Sequence, residues 1–446
     1  MHRIAIKTRS WDAGSNPGEA PLGQMSFLNK EIEEGVAMVS KGLKRREFLK
    51  FLTIATAGVV SNRRMDAARA DAAGRAKITD VKLVQLRMEK DLGSYPDWVG
   101  NPRHVAIGGG AFTEVHTDQG VTGIGPEINP SIVPQIKAIL AGQDPFEINM
   151  LATRLYELGG MGYRGSTGAE IAVWDLMGKL ANQPLYKLWG GGRERVIPYA
   201  SMLRLSTPEE RGELAAKLKA DGWRAMKLRS SFPTMREDIR LVEAVRKTTG
   251  EDWVIMCDGN KATFNEATTK GVRWDFTRAC ETALEYQRLG VYWLEEPLPR
   301  YDYDQLAELN RMITMKLAGG EGNRGVNEFH DLLEKGCFDI VQPEVMLEGP
   351  SHLRMISAIA QSMYKMCIPH VGDMRLGTVC DLHLIASWPE ENSPYIEIFN
   401  DEPVGNYTYP FSIFEEPPAL TKDGFFELPQ GPGLGMKIRE DLILKA

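Results

Sequence analysis

The sequence predicts an α/β fold: a modified (β/α)7β barrel of TIM-like architecture with a separate N-terminal α+β capping domain. From about residue 196, short apolar strand candidates alternate with polar stretches of helical length. Eight parallel strands connected by helices close naturally into a barrel. In residues 77–195, strand patterns come first and helical patterns follow, which is typical of an α+β unit.

The elements follow from the apolar periodicity. In the cap, alternation predicts strands over Ile78–Leu86 and Phe112–His116, and an apolar stripe predicts a helix over Ala169–Leu180. The barrel strand candidates are Val196–Met202, Ala225–Arg229, Val254–Asp258, Val291–Glu296, Leu317–Glu321, Ile340–Glu344, Met366–His370 and Tyr395–Glu397. The predicted domains are an N-terminal extension (1–76), the cap (77–195), the barrel (196–415) and a C-terminal segment (416–446) that packs back on the cap.

The composition is that of a globular protein, with 43% hydrophobic and 25% charged residues among 446. The five cysteines are odd in number and widely spaced, which argues against a disulfide framework and against a zinc site. The first 70 residues carry a net charge of +5 and the remainder a net charge of −12. Because an acidic surface repels phosphate backbones, we expect no nucleic-acid partner.

The N-terminal extension resembles a twin-arginine secretory signal. Basic residues around Arg45 and Arg46 precede the short apolar run Phe51–Val60, and an A-x-A site follows at residues 68–70. The apolar run is too short for a membrane span, which needs about 20 residues. We therefore expect a periplasmic protein, exported by the twin-arginine route and without a stable membrane anchor.

A polar residue recurs once per βα unit, near the end of each strand candidate from the second onwards. These residues are Lys227 and Arg229, Asp258, Glu295, Glu321, Glu344, His370 and Glu397, at intervals of 23 to 37 residues. One βα unit occupies about 30 residues. The carboxyl ends of barrel strands meet at one mouth, where active sites are found, so we expect these side chains to share one site.

The carboxylates Asp258, Glu295 and Glu321, from consecutive strand candidates, predict a metal site. Crowded carboxylates repel each other unless a cation lies between them, and all-oxygen ligation selects a hard ion such as Mg²⁺. Lys227 and Arg229 lie two apart on one strand, so both side chains point to the same face. Beside a metal, such a pair is suited to bind a substrate carboxylate and to stabilise developing negative charge.

His370 and Glu344 close neighbouring strand candidates. A carboxylate that holds one ring nitrogen of a histidine orients the imidazole and makes it more basic, as a general base requires. We therefore predict that His370 is a catalytic base and that Glu344 is its partner.

Motifs along residues 77–446 resemble the enolase superfamily, in its mandelate racemase/muconate lactonizing enzyme-like branch. They are Lys227-Leu-Arg229, Cys257-Asp258-Gly-Asn260, Trp293-Leu-Glu295-Glu296-Pro297, Ala318-Gly-Gly-Glu321, Gln342-Pro-Glu344, Ile368-Pro-His370 and Tyr395-Ile-Glu397. The resemblance implies that the three carboxylates bind Mg²⁺ and that an ene-diolate intermediate forms, which is this superfamily's known mechanism. It implies that Lys227 neutralises charge on the intermediate and that Glu397 hydrogen-bonds a small-molecule carboxylate substrate. We also expect a homo-oligomer.

Two residues depart from the pattern of that family. Arg229 stands where a second lysine commonly serves as base on the opposite face, and a guanidinium with a pKa above ~12 is a poor base. Glu344 stands where the shorter aspartate is usual. Racemisation usually needs a base on each face, whereas elimination can use one. We therefore expect dehydration of a sugar acid, with His370 removing the α-proton and then protonating the departing β-hydroxyl.

Two alternatives stay open from the sequence. A racemase or epimerase of a 2-hydroxy or amino acid requires Arg229, or another group such as Lys261, to serve the second face. The chain as an inactive barrel that binds a carboxylated ligand is the alternative of a different class. The retained metal ligands and the His–Glu pair argue against that second alternative.

Substrate specificity is expected in two cap segments, Met88–Arg103 and Gly159–Ser166. Cap loops of this kind close over a barrel mouth when the substrate binds. The side chains that we expect to close over the mouth are Tyr95, Trp98, Tyr163 and Arg164.

Replacing Arg45 and Arg46 with lysine should trap the protein in the cytoplasm, because the export receptor reads the arginine pair as an address. Fractionation of cells that express the wild type and the double variant measures this. The matched control replaces Arg63 and Arg64, which follow the apolar run, and should leave export intact. A wild-type protein that stays unprocessed in the cytoplasm would contradict the signal.

Overall fold

The computed structural model describes residues 76–158, 165–263 and 272–445. The predicted secretory signal, with Arg45 and Arg46, lies outside the described residues, and so do Tyr163 and Arg164 of the second cap segment. Within the described ranges, no helix is long and apolar enough to cross a membrane. All five cysteines are buried and unpaired.

The cap combines antiparallel strands with helices, as the sequence predicts. Its strands are β1 (Ile78–Gln85), β2 (Met88–Pro96), β3 (Pro102–Gly108), β4 (Ala111–Thr117) and β5 (Thr122–Pro126). Its helices are α1 (Val133–Leu140), α2 (Ile148–Glu157), α3 (Thr167–Ala181) and α4 (Leu185–Leu188), with short 3-10 turns at Pro130–Ile132 and Pro145–Glu147. Strands β1, β4 and β5 form one antiparallel sheet, while β2 and β3 form a separate hairpin.

The barrel follows with strictly alternating strands and helices. Its strands are β6 (Arg195–Ser201), β7 (Ala225–Arg229), β8 (Val254–Asp258), β9 (Trp293–Glu295), β10 (Lys316–Gly319), β11 (Ile340–Val341), β12 (Met366–Cys367) and β13 (Tyr395–Asp401). The helices between them are α5 (Pro208–Ala220), α6 (Met235–Thr249), α7 (Phe276–Arg288), α8 (Tyr303–Met312), α9 (Gly325–Glu334), α10 (Val345–Ser362) and α11 (Leu376–Ser387). The remaining elements are β14 (Gly405–Asn406), α12 (Thr408–Phe411), β15 (Phe426–Glu427) and a 3-10 turn at Glu440–Leu442.

The eight strands β6 to β13 are parallel and neighbour one another in chain order, and the last of them pairs with the first. Among the described residues, the ladder is interrupted only between β12 and β13. That seam is crossed by two hydrogen bonds, from the Cys367 amide to the Asn392 carbonyl and from the Val371 amide to the Glu397 carboxylate. The predicted (β/α)7β barrel with an α+β cap is therefore confirmed.

An apolar layer fills the barrel interior. Each of the strands β6 to β11 contributes one fully buried side chain, and the residue just after β12 contributes another; these are Tyr199, Ala225, Met256, Trp293, Ala318, Ile340 and Ile368. Tyr395 of β13 packs against the same layer. These side chains form a cluster separate from the main core, which lies between sheet and helices. The barrel interior is therefore filled, and this apolar layer is the floor of the barrel mouth.

Several strand ends differ from the sequence prediction. Strands β10, β11 and β12 stop earlier than the apolar runs do, so Glu321, Glu344 and His370 lie in the loops that follow them. The prediction that Glu397 ends its strand was wrong, because β13 continues to Asp401. The segment Met88–Arg103 was expected to be a mobile cap segment with no predicted strand, but β2 and β3 make most of it a hairpin. Its side chains are mostly exposed, so no apolar alternation marked the strands.

The C-terminal segment lies against the cap. Buried Asp175 of α3 accepts one hydrogen bond from the Leu434 amide and another from the Ile124 amide of β5, each at 2.7 Å. Lys179, one turn further along α3, forms an ion pair with the same carboxylate at 2.6 Å. Near the chain end, the Leu444 amide donates to the Gln85 carbonyl of β1 at 3.0 Å. Asp175 thus joins cap helix, cap sheet and C-terminal segment at one buried point.

Asp175→Ala should lower the free energy of unfolding by about 3–5 kcal/mol, because it leaves buried donors and a lysine without their acceptor. Urea denaturation followed by circular dichroism measures this. The control is Asp80→Ala, which removes a partly exposed partner of Lys137 and should cost no more than about 1 kcal/mol. Equal effects of the two substitutions would refute a special role for Asp175.

Candidate active site

A polar layer lies directly above the apolar floor of the barrel. Side chains two residues apart on a strand share a face, so the residues two positions beyond the floor also point inward. These are Ser201, Lys227, Asp258, Glu295, Gly320, Gln342, His370 and Glu397. Most of the predicted site residues belong to this layer. Glu321 and Glu344 come from the adjoining loops, and Arg229 lies two residues beyond Lys227.

Lys227 lies at the centre of the polar layer and is fully buried. Its ammonium is 2.9 and 3.0 Å from the two oxygens of Glu295, 2.9 Å from Oε1 of Glu397 and 3.6 Å from Oδ2 of Asp258. Burial by itself lowers the pKa of Lys227, but the surrounding carboxylates raise it well above the ordinary value. Lys227 is therefore held as a cation.

Arg229 is bound on several sides. Its Nε donates to the Met202 carbonyl at 2.7 Å, and Nη1 bonds to Asp258 and donates to Oδ1 of Asn260 at 3.0 Å. Its guanidinium carbon lies 4.4 Å from the ring centre of Trp98. Burial tends to lower the pKa of Arg229, but Asp258 and further carboxylates raise it. Arg229 is thus a fixed cation at the mouth.

His370 lies between carboxylates. Its Nδ1 is 2.7 Å from Oε2 of Glu344, and its Nε2 is 3.3 Å from Oε2 of Glu321. Burial by itself lowers the pKa of the imidazole, but Glu321 and the hydrogen bond to Glu344 outweigh burial and raise it to about 10. Glu344 is itself fixed, because its other oxygen accepts the Met346 amide at the start of α10. The longer side chain of glutamate therefore still reaches the histidine.

Glu397 pairs with Lys227 through one oxygen and accepts the Val371 amide at 3.2 Å through the other. Burial tends to raise the pKa of Glu397, but Lys227 and the other cations of the mouth hold it well below its ordinary value. An ionised carboxylate accepts hydrogen bonds but donates none. In this arrangement Glu397 orients Lys227, and the hydrogen bond to substrate that the resemblance implies stays a prediction.

Asp258, Glu295 and Glu321 each lie beside a cation: Arg229, Lys227 and His370, respectively. Among the described residues, their oxygens do not all lie within 4.8 Å of one another. Burial and the nearby Asp258 carboxylate raise the pKa of Glu295 to about 7, with Lys227 opposing them. Because carboxylates outnumber cations in this buried layer and every donor is oxygen, the chemistry of the set fits a hard divalent ion.

Two amide side chains within the sequence motifs, those of Gln342 and Asn260, hold the carboxylates in place, although the sequence predicted no function for them. Gln342 Nε2 donates to Oε2 of Glu295 at 2.9 Å, and Trp293 Nε1 donates to the same oxygen at 3.2 Å. Asn260 donates to Asp258 from its backbone amide at 2.8 Å and from its side chain at 3.0 Å. The sequence signal for Asn260 and Gln342 was their position within the motifs around Asp258 and Glu344.

The β2–β3 hairpin covers part of the mouth. Trp98 at its tip stacks on Arg229, as expected for a residue that closes over the site. Tyr95 does not reach into the mouth by a polar contact: its hydroxyl donates to the Leu92 carbonyl of its own hairpin at 2.8 Å. A cavity of about 250 Å³ lies between the hairpin tip and the loops after β7 to β10, with Glu321 in its wall.

The chain matches two family models in the order of its domains. Residues 101–190 match the mandelate racemase/muconate lactonizing enzyme N-terminal domain, and residues 210–442 match the enolase C-terminal domain-like family. The two matches cover most of the cap and most of the barrel with the C-terminal segment.

Curated and solved proteins of similar sequence were found. An arabinonate dehydratase from Saccharolobus solfataricus is 30% identical over 74% of this chain and 88% of its own length. A D-galactarolactone cycloisomerase from Agrobacterium fabrum is 27% identical over 82% of this chain and 98% of its own. An enolase from alpha proteobacterium BAL199, solved with bound magnesium, is 25% identical with a TM-score of 0.67, covering 83% of this chain and all of that one.

Glu321→Gln should weaken Mg²⁺ binding by at least about 100-fold, because even residues behind metal ligands contribute 10–100-fold to metal affinity. Isothermal titration calorimetry with MgCl₂ measures this. The matched control is Glu334→Gln, in the exposed acidic group that also includes His330 and Asp331 on α9. Unaltered Mg²⁺ affinity in Glu321→Gln, or a loss in the control alone, would move the metal site elsewhere.

Proposed function

The chain belongs to the mandelate racemase/muconate lactonizing enzyme branch of the enolase superfamily, and we propose that it is a magnesium-dependent sugar-acid dehydratase. The observation that carries the proposal is the unequal character of the two flanks of the mouth. On one flank His370 is oriented by Glu344, as a proton-transfer group requires. On the other, Arg229 is a cation that its Nε and Nη1 hydrogen bonds hold in place.

Asp258, Glu295 and Glu321 would hold the metal ion. When bound, Mg²⁺ would neutralise the substrate carboxylate and so make the adjacent C–H bond more acidic. Lys227 would contribute permanent positive charge at the same end of the substrate, since its surrounding carboxylates keep it protonated. Glu397 would hold the Lys227 ammonium in position, since the two groups are 2.9 Å apart. Preplaced charge of this kind costs no reorganisation when the reaction occurs.

His370 would remove the α-proton through Nε2, because Nδ1 is engaged by Glu344. Glu321 does most to raise the pKa of this imidazole, and a metal ion held by Glu321 would offset that charge and favour the neutral imidazole that a base requires. The imidazolium that results carries the proton needed by a departing β-hydroxyl on the same face. One residue therefore supplies both proton transfers, and the products are water and an enol that becomes an α-keto acid. Arg229 would bind and stabilise the anionic intermediate, because a guanidinium remains protonated in proteins.

An isomerase is the second candidate. The similarity to a galactarolactone cycloisomerase supports it, because that protein is similar along nearly its whole length. The same removal of a proton beside a carboxylate is compatible with isomerisation if a proton returns to carbon. This candidate predicts a product with the mass of the substrate, whereas dehydration predicts the loss of one water.

We also propose that the protein acts in the periplasm after twin-arginine export, which rests on the Arg45-Arg46 sequence alone. The homo-oligomer stays a prediction.

His370→Asn should abolish both dehydration and exchange of the α-proton, because asparagine has no titratable nitrogen. A general base contributes about 10²–10⁴-fold. Arg229→Met should instead weaken substrate binding and leave slow α-proton exchange, because the base is retained. The measurement is exchange in D₂O with Mg²⁺, followed by NMR with each of a panel of sugar acids.

Glu344→Asp is the control for this pair, because it keeps a carboxylate beside His370 and should retain part of the exchange rate. Persistent exchange in His370→Asn would refute the one-base mechanism and favour an isomerase with a second base. Failure of the wild type to exchange any α-proton would refute the enzymatic function itself.

A further inference from the structure

We propose that the cavity beside the metal ligands is a second anion subsite, in which Lys261 binds the distal carboxylate of a dicarboxylic sugar acid. This inference rests on the proposed dehydratase function and narrows its substrate class. The cavity lies between the hairpin tip and the loops after β7 to β10, and its volume is about 250 Å³. Its lining includes Trp98, Asn101, Ser231, Asn260, Lys261 and Trp274.

Lys261 is a buried cation beside which the described residues place no carboxylate. Only 8% of its surface is exposed. Its ammonium lies 3.3 Å from the Ser231 hydroxyl and 5.3 Å from the ring centre of Trp274. Among the described residues, no carboxylate oxygen lies within 4.0 Å of this ammonium. Because buried charges in proteins are normally paired, a negative charge placed in the cavity would complete the surroundings of this lysine.

Arg278 provides the comparison. Its guanidinium carbon also lies 5.3 Å from the ring centre of Trp274, but it is paired with Asp238 at 2.8 Å. It donates further to the carbonyls of Phe232 and Pro233. Of two cations on the same indole, one is thus paired with a carboxylate inside the protein and the other faces the cavity. Burial also lowers the pKa of Lys261, to about 8, as expected for a charge with incomplete compensation.

Among the described residues, the cavity wall contains the carboxylates of Asp97, Glu296 and Glu321. Asp97 accepts the backbone amides of Val99 and Asn101 within the hairpin turn, at 3.0 and 2.9 Å. Glu296 lies 3.9 Å from Arg300, and Glu321 is a predicted metal ligand. Glu321 and Lys261 line the same cavity, so a substrate whose reacting carboxylate is bound at the metal site would extend along it towards the ammonium of Lys261.

The remaining lining suits a sugar chain. The Ser231 hydroxyl and the side-chain amides of Asn101 and Asn260 offer hydrogen bonds to hydroxyl groups. The rings of Trp98 and Trp274 offer flat apolar faces to the C–H groups between them. A single ammonium matches the single charge of a carboxylate, so the subsite favours an aldarate over the aldonate that ends in a neutral hydroxymethyl group.

The test compares aldarate and aldonate of the same configuration, galactarate with galactonate and glucarate with gluconate, in wild type, Lys261→Met and Lys261→Arg. Lys261→Met keeps the side-chain length and removes the charge. One charge-assisted hydrogen bond corresponds to about 10–100-fold in kcat/KM, so the wild type should favour an aldarate by that factor. In Lys261→Met this preference should collapse, mainly through KM for the aldarate, while Lys261→Arg should retain most of it.

Lys316→Met is the matched control, because Lys316 lies over an aromatic ring, Tyr292, at the start of β10 and away from the mouth. It should leave the preference intact, and thermal unfolding checks that each variant folds. A wild type that converts aldonates at least as well as aldarates overturns the subsite but leaves the dehydratase. Equal loss on both classes in Lys261→Met also overturns it. Turnover of neither class by the wild type refutes the proposed function and the subsite with it.

Discussion

The mouth of this barrel is governed by the need to balance buried negative charge. An apolar layer from Tyr199 to Ile368 seals the barrel from below, so the side chains above it have no water beneath them. Carboxylates from successive strands meet on that floor and outnumber the cations. In such a low-dielectric setting each ionisable group either has an opposite charge nearby or becomes neutral. Lys227 bridges Glu295 and Glu397 for this reason, and a divalent ion fits the carboxylates that remain.

The same requirement sets the chemical character of the two flanks of the mouth. Because Arg229 is needed to balance Asp258, its guanidinium is bound in the ground state and is held as a cation. His370 is balanced instead by a carboxylate on each ring nitrogen, at 2.7 and 3.3 Å. His370 can therefore exchange a proton on one flank, whereas Arg229 on the other flank can only stabilise negative charge. This asymmetry is a physical reason for elimination rather than racemisation.

The cap contributes the upper wall and is itself anchored from two directions. Trp98 at the hairpin tip stacks on Arg229 of the barrel, so a cation of the mouth helps to place the wall of the cavity. Behind it, Asp175 ties cap helix, cap sheet and C-terminal segment together at a point with no exposed surface. The cavity that would select substrates is thus built from a cap element and from the loops after β7 to β10, which include the predicted metal ligand Glu321.

The sequence by itself determined the fold class, the order of strands and helices, and most of the polar layer. It could do so because the strands of a barrel follow one another along the chain at a regular interval. On each strand, the residue two positions beyond the apolar floor residue points inward and lies at the mouth. It did not determine where β10 to β13 end, nor that β2 and β3 pair, because exposed or short strands carry little apolar alternation. Only the tertiary structure decided which charges pair: that Glu397 engages Lys227, that Gln342 holds Glu295, and that Lys261 is left beside a cavity. Pairing depends on distances between side chains of different strands, and these distances exist only once the barrel is closed.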